Sequence, residues 1–151
     1  MADCAPRRVA LLSIHPRHAE AILDGRKRVE LRRIPVSRDT THVLVYSTAP
    51  VQAVVGWFVV AGIDEDNRTA IWEAHREACG VSRREYRDYF AGAARAFAIK
   101  IVRAHRLQVP LSLDSLPGVK RPPQSFQYLD PSTVSWIFGE TSSRTEVLMP
   151  A

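Results

Sequence analysis

The stretch VQAVVGWFVVAGI, residues 51–63, is an apolar run of 13 residues that decides the fold. It is longer than a typical strand and contains two glycines, Gly56 and Gly62. Glycine inside a strand marks a bulge or a bend, which is the irregularity that curls a sheet into a barrel. We therefore predict a long, bent strand at the centre of a small barrel.

Short strands and helices are predicted on both sides of this run, from apolar periodicity and from helix start and stop signals. In chain order they are a strand at 9–14, a helix from Pro16 to Gly25, a strand around Val29 and Leu31, strands at 42–50 and 51–63, helices at 69–79 and 82–92, and a strand from residue 95 that Pro110 closes. The second of the adjacent helices starts with a capping box, SRRE, and is expected to bury Tyr86, Tyr89 and Phe90. The order indicates an α+β fold, a small mixed β-barrel flanked by short helices.

The last part of the chain carries several prolines and little periodicity. It is expected to wrap the surface as ordered loop, with one short strand at residues 126–129. A chain of 151 residues with 46% hydrophobic content is the size of one domain. We predict a single domain over residues 1–151, with its core at about 9–130 and a peripheral tail at about 140–151.

Charge and cysteine content narrow the class of partner and the compartment. A net charge of +5 and a pI near 9.7 favour polyanions such as nucleic acid. The two cysteines form no CxxC pair. His75 with Cys79 and His15 with His18 have helical spacing, but a metal site needs three or four convergent ligands, so no metal or other cofactor is expected. The sequence contains no signal-peptide pattern and no apolar stretch that could span a membrane, so we expect a cytoplasmic protein with no membrane partner.

Charged residues are concentrated in ILDGRKRVELRR, residues 22–33, where seven of twelve residues are charged and five of these are basic. Strand alternation places Glu30 and Arg32 on one face. Beside a carboxylate, the ammonium group of Lys27 is suited to contact a phosphate. From spacing alone, a solvated surface ion pair worth less than about 1 kcal/mol is the favoured interpretation.

Further candidates lie where other predicted elements end. His15 precedes Pro16 at a helix start, whose unpaired amides can receive a phosphate. Hydroxyl and amide groups suited to reading a base edge, or a ring suited to stacking, come from two other segments, YST and QS. We therefore add Tyr46, Ser47, Thr48, Gln124 and Ser125 to the candidate site.

The run SIHPRHAEAILDGRKRVELRR, residues 13–33, resembles the opening of an ASCH domain, a family of PUA-like small β-barrels. The family pattern G-x-K-x-x-E-x-R is filled by Gly25, Lys27, Glu30 and Arg32. YSTAP, VVGWFVV, AFAIKI and PPQSFQYL extend the resemblance over residues 9–130.

The resemblance implies a PUA-like barrel with a cleft between the first helix and the sheet, in a family associated with binding RNA or other nucleic acids. Some members resemble ribonucleases, and others resemble amidohydrolases of acetylated cytidine nucleosides, which need a Lys, a Thr and a Glu together. Here Lys27 fills the lysine position, Glu30 stands in the place of the threonine, and the place of the glutamate falls near Cys79. This departure argues against the nucleoside hydrolase.

Three functional hypotheses follow. The first is nucleic-acid binding, RNA favoured over DNA, through His15, Lys27, Glu30, Arg32 and the polar groups at strand ends. The second is an enzyme, a ribonuclease or a nucleoside-modifying hydrolase, that uses Lys27, Glu30 and His15 in the same cleft. The third is a protein-interaction module of the coregulator type. The sequence does not decide the oligomeric state.

Overall fold

A computed structural model of the protein describes residues 5–138. The predicted C-terminal tail at 140–151 lies outside these residues. The strands are β1 (Arg8–Ile14), β2 (Val29–Arg32), β3 (Thr40–Ser47), β4 (Ala53–Asp66), β5 (Ala96–Leu111) and β6 (Phe126–Tyr128). The helices are α1 (Pro16–Leu23), α2 (Arg68–His75), α3 (Arg83–Tyr89) and α4 (Pro131–Phe138), with one turn of 3-10 helix at Leu113–Ser115. None of the helices within this part of the chain is long and apolar enough to cross a membrane.

The six strands form one mixed sheet in the order β2-β5-β4-β3-β1-β6. Only β1 and β3 pair in parallel, across the α1 connection, and the other neighbours are antiparallel. The register between β4 and β5 shifts between Val54 and Gly56 and again between Val60 and Gly62. The predictions of an α+β barrel-type fold and of a long strand bent at its two glycines are confirmed.

The sheet is curled so far that its two edges approach each other. Arg32, on edge strand β2, donates hydrogen bonds to the carbonyl oxygen of Ser13 on β1 (3.0 Å) and to Oγ of Ser125, just before β6 (3.4 Å). The backbone N–H of Ser13 in turn donates to the carbonyl of Ser125 (3.2 Å). One arginine side chain therefore links the opposite edges of the open sheet.

The predicted starts of two helices are confirmed. α1 begins at Pro16, and its C-terminal turn is followed by Gly25 at φ +82°, a conformation that favours glycine. α3 has the capping box in full: Oγ of Ser82 accepts from the backbone of Glu85 (3.1 Å), and the Glu85 carboxylate accepts from the backbone of Ser82 (3.1 Å). The capping signals were local, so the sequence alone located these helix starts.

Three expectations are corrected by tertiary contacts. α2 ends at His75 rather than at residue 79, because the chain turns and the carbonyl of Ala78 accepts from the amides of Arg28 and Val29 at the start of β2. β5 continues past Pro110 to Leu111. Its pairing with β4 includes Arg106 opposite Gly56 and resumes at Leu111 opposite Val54. The residues between these pairs bulge out, so the proline removes no ladder bond.

The third correction is α4, which lies where loop was expected. Pro131 occupies its first position, and Val134 and Ile137 pack into a core cluster with Leu11 and Leu44. The core thus continues beyond the predicted boundary at residue 130. The Pro131 start and the apolar spacing of Val134, Ile137 and Phe138 were available as signals in the sequence.

Three buried clusters make up the core of the described residues. The first packs α4 against one face of the sheet, around Leu11 and Leu44. The second packs α1 against the other face, around Leu12, Ile22 and Phe58. The third joins α2 and α3 to β2, around Ile71, Tyr86 and Phe90. The second and third clusters fix α1 and α3 on either side of β2.

Gly56 is predicted to be required for the packing of α1 on the sheet. A Cβ atom there would lie 2.5 Å from Cδ2 of Leu23 and would also clash with the backbone oxygen of His105. Overpacking against backbone costs about 1–3 kcal/mol, so Gly56→Ala should lower the free energy of unfolding in urea by that amount. Gly92→Ala is the control: its site has a φ of +80° but nothing within 4 Å of a new Cβ, so only backbone strain applies. A loss of less than about 1 kcal/mol for Gly56→Ala would contradict this account.

Candidate functional site

A cavity of about 290 Å³ lies between α1, β2 and α3. It is formed where the end of β1 passes into α1, with β2 as its floor and α3 as the opposite wall. Its lining residues are Ser13, Ile14, His15, His18, Lys27, Glu30, Leu31, Arg32, Val81, Glu85, Tyr86 and Tyr89. Four of the predicted site residues, His15, Lys27, Glu30 and Arg32, are therefore brought together in one hollow.

Lys27, Glu30 and Arg32 form a buried ion-pair network at the floor of the cavity. Oε1 of Glu30 lies 3.6 Å from Nζ of Lys27, and Oε2 lies 3.2 Å from Nη2 of Arg32. The three side chains are only 2%, 9% and 10% exposed in chain order. The alternative of a solvated surface ion pair is therefore wrong for these residues. Strand alternation places Glu30 and Arg32 on the same face, and the chain between α1 and β2 adds Lys27.

The ammonium group of Lys27 is fixed from two sides. Nζ donates to the backbone oxygen of Cys79 in addition to its contact with Glu30. The aliphatic stem of Lys27 lies over Gly80, where an added Cβ would come within 3.2 to 3.3 Å of three of its carbons. Gly80 has a φ of +71°. The turn after α2 therefore positions Lys27 in two ways. The backbone oxygen of Cys79 accepts its hydrogen bond, and Gly80, which has no side chain, leaves room for its stem.

The network contains two cations and one carboxylate, so it carries a net positive charge. The other carboxylate at the cavity, that of Glu85, is bound to Arg17 of α1 in an ion pair across the rim. The hydrogen bond from Arg17, followed by that from the backbone of Ser82, lowers the pKa of Glu85 to about 2. Within the described residues, the floor of the cavity thus keeps an excess of positive charge. A bound anion would complement this charge.

Ser13, two histidines and two tyrosines form the rest of the polar lining. Nδ1 of His15 accepts from the backbone N–H of Arg17 (3.2 Å), and Pro16 has no amide hydrogen. The helix start therefore offers fewer free amides to an anion than the sequence suggested. Burial, followed by the charge of Lys27, lowers the pKa of His18 below 6.5. Burial raises the pKa of Tyr86 to about 12 and also raises that of Tyr89, so both phenols are neutral donors at neutral pH.

The remaining predicted residues lie outside the cavity lining. Ser125 is connected to it through hydrogen bonds with two lining residues, Arg32 and Ser13. Tyr46 is 4% exposed and packs in the first core cluster, and Ser47 is 2% exposed. Neither Thr48 nor the exposed Gln124 lines the cavity. Their part in ligand binding stays a prediction, and this conformation gives Tyr46 no open ring face for stacking.

Sequence reasoning missed several residues that line the cavity. Tyr89 was expected in the core, but it is 42% exposed and lines the cavity. His18 and Glu85 were not singled out as site residues, although His18 follows one turn after His15. Glu73 and Glu77, the glutamates nearest in sequence to Cys79, where the family's glutamate was expected, are exposed and lie outside the cavity, and no threonine lines it. No group of three His, Cys, Asp or Glu residues suited to a metal ion occurs within residues 5–138.

The fold and the cavity define a PUA-like α+β domain with a cationic hollow beside its first helix. The profile of the ASCH domain family matches residues 12–105. The ASCH domain-containing ribonuclease of Zymomonas mobilis is 34% identical over 133 residues, 85% of this chain and 89% of that protein. The chain belongs to the ASCH domain family.

Solved structures agree with this assignment. The crystal structure of ASCH from Zymomonas mobilis superposes with a TM-score of 0.77 at 30% identity, over 84% of this chain and 91% of that chain. A serine-to-alanine variant of the same protein superposes with a TM-score of 0.79 at 29% identity, over 87% of this chain and 95% of that chain. The curled mixed sheet with its short helices is thus the fold of ASCH proteins.

Glu30 is predicted to contribute more to stability than Lys27, although the two form one pair. Glu30→Gln leaves two buried cations without a carboxylate, whereas Lys27→Met leaves the Glu30–Arg32 pair intact. Breaking a buried pair on one side costs about 3–5 kcal/mol, so Glu30→Gln should lose about that much free energy of unfolding in urea at neutral pH. Lys27→Met should lose less. Equal losses would mean that the network has no charge imbalance.

The domain is predicted to lose stability on mild acidification. The pKa of His18 is lowered in the folded state, as are those of His42 and His105, in each case mainly by burial. As the pH falls through 6.5, the unfolded chain takes up these protons first, so the free energy of unfolding decreases until the folded-state pKa values are reached. Urea titrations between about pH 7.5 and 5.5 should show this loss, and His18→Gln should reduce its slope. A slope that His18→Gln leaves unchanged would show that His18 has no part in it.

Proposed function

We propose that this protein binds nucleic acid, with RNA favoured over DNA, and that the cavity between α1 and α3 receives a phosphate or a nucleotide of the strand. The observation that carries the proposal is the buried network of Lys27, Glu30 and Arg32, whose net positive charge borders a hollow of about 290 Å³. An anion that enters the hollow compensates this charge. The net charge of +5 adds a long-range attraction for a polyanion.

The ring of polar groups around the hollow suits a nucleotide better than a bare anion. The exposed His15, the half-buried His18 and the phenol of Tyr89 stand at its rim. Ring faces of this kind stack on unpaired bases, and imidazole and phenol groups hydrogen-bond to base edges and to ribose hydroxyls. The ribose 2′-OH, which only RNA has, supports the preference for RNA. We also propose that the chain acts as a single domain in the cytoplasm.

Salt-dependent binding tests the proposal. Fluorescence anisotropy with short single-stranded RNA and with DNA of the same sequence, between about 50 and 200 mM salt, should show affinity that falls steeply with salt, because phosphate contacts release counterions. RNA should bind more tightly than DNA. Lys27→Met should weaken binding by about tenfold and reduce the salt slope by about one. Absence of binding to either strand at about 50 mM salt would falsify the proposal.

Gly80 offers a test that leaves every charge in place. In Gly80→Ala the new Cβ presses on the stem of Lys27, whereas in Gly118→Ala it makes only ordinary contacts of 3.6 and 3.8 Å. Both sites have a positive φ, +71° and +78°, so both variants carry similar backbone strain. We expect Gly80→Ala alone to weaken RNA binding in the anisotropy assay, with similar losses of stability in both. Equal RNA affinities would show that the position of the ammonium group is unimportant.

A ribonuclease activity in the same cavity is the second candidate, favoured by the 34% identity to an ASCH domain-containing ribonuclease. Cleavage by the 2′-OH needs a base that removes its proton, a cation that stabilises the charge on the phosphorus oxygens, and an acid that protonates the leaving 5′-oxygen. Lys27 is placed as the cation. Glu30, His15 and the additional His18 are the groups available for proton transfer.

Cleavage assays separate the enzyme from the binder. If the protein is a ribonuclease, it should cut a single-stranded RNA, and replacing the ribose at the cut position by deoxyribose should prevent cleavage. Lys27→Met should lose turnover while the thermal unfolding transition is retained. A protein that binds RNA without cutting it is a binder only. If it neither binds nor cuts RNA, the protein-interaction module remains.

A further inference from the structure

A second cavity, of about 340 Å³, lies on the other side of α3 from the first. Its aromatic part consists of Trp72 from α2 and of Tyr86 and Phe90 from α3. Trp72 is half-buried and lies 5.0 Å from the ring of Tyr86, while Tyr86 and Phe90 are buried. The floor of this cavity is thus a set of packed rings, with the indole as the partly exposed one.

Three arginines surround these rings. The guanidinium group of Arg68 donates to the carbonyl of Phe90 (3.2 Å), so it has a structural contact. Arg83 lies over the indole of Trp72, with Cζ 5.8 Å from the ring centroid. Arg87 follows one turn later on α3, and no carboxylate lines the cavity. Within residues 5–138, neither Arg83 nor Arg87 takes part in an ion pair, so both guanidinium groups are available to an anionic ligand.

α3 contributes residues to both cavities. Tyr86 lines both of them, Glu85 and Tyr89 face the first, and Arg83 and Arg87 face the second. This division follows from the helical period, which places residues four apart on one side. A helix with its side chains is about 10 Å across, so an extended strand longer than a dinucleotide is needed to reach from one cavity to the other.

We propose that the second cavity binds a further nucleotide of the same single strand, with its base against Trp72 and the Arg83 guanidinium and its phosphate near Arg87. The inference rests on the proposed function and makes it more specific: the ligand is single-stranded RNA that crosses α3 and occupies both cavities. Arginine planes and indole rings stack on bases of any type, and unpaired guanidinium groups attract phosphates. A double helix cannot present its bases in this way, because they are stacked and paired.

Strand length and paired variants test this path. The wild-type protein should bind an RNA of about eight nucleotides more tightly than a dinucleotide. The gain in affinity should be larger than the added phosphate charges alone explain. Arg83→Ala/Arg87→Ala should lose about tenfold in affinity for the longer RNA and reduce its salt slope by about two, with little effect on the dinucleotide. Arg7→Ala/Arg76→Ala is the charge-matched control, because both residues are exposed and line neither cavity. Thermal unfolding of each variant checks the fold.

The outcomes distinguish this inference from the proposed function. If Lys27→Met weakens binding of the longer RNA while Arg83→Ala/Arg87→Ala matches the control pair, the second cavity is not on the path and only the inference fails. If the arginine pair matters but Lys27→Met has no effect, the strand does not occupy the first cavity, and both fail as stated. If the wild-type protein binds no RNA at about 50 mM salt, both are overturned.

Discussion

The rest of the structure depends on the two ion pairs that the carboxylate of Glu30 forms with Lys27 and Arg32. Through Lys27 it reaches the backbone oxygen of Cys79 in the turn after α2, and through Arg32 it reaches Ser13 and Ser125 at the far edge of the sheet. Removing charges from water is costly, and the two ion pairs of Glu30 offset part of that cost. The curl of the open sheet and the position of the α2–α3 unit are therefore linked by a single buried side chain.

In the proposed function, the same network connects stability with ligand binding. A second carboxylate at the floor of the cavity would balance the charge and stabilise the domain, but it would also remove the attraction for an anion. The chain instead keeps an excess cation next to an open hollow, with the Arg17–Glu85 pair bridging α1 and α3 at its rim.

The sequence predicted the elements and the core of the candidate site better than its outer parts. Lys27, Glu30 and Arg32 lie within six residues of one another, so local geometry and a motif were sufficient to group them. Tyr46, Ser47 and Thr48 were expected to expose their polar groups at the end of a strand, yet Tyr46 and Ser47 are buried where β3 pairs with β1. Tyr89 shows the reverse error, because its helical spacing indicated burial but no element covers the end of α3 enough to bury it.

The sequence by itself determined the α+β class, the bends at Gly56 and Gly62, the capping box of α3 and the family motif, because each depends on residues close together along the chain. Only the tertiary structure decided that Lys27 is buried, that α4 covers the first core cluster, and that α3 separates two cavities. These features depend on contacts between residues far apart in sequence, such as Lys27 with Cys79 and Arg32 with Ser125. Periodicity gives the direction in which a side chain points along its own element, but the burial of that side chain depends on which distant element packs against it.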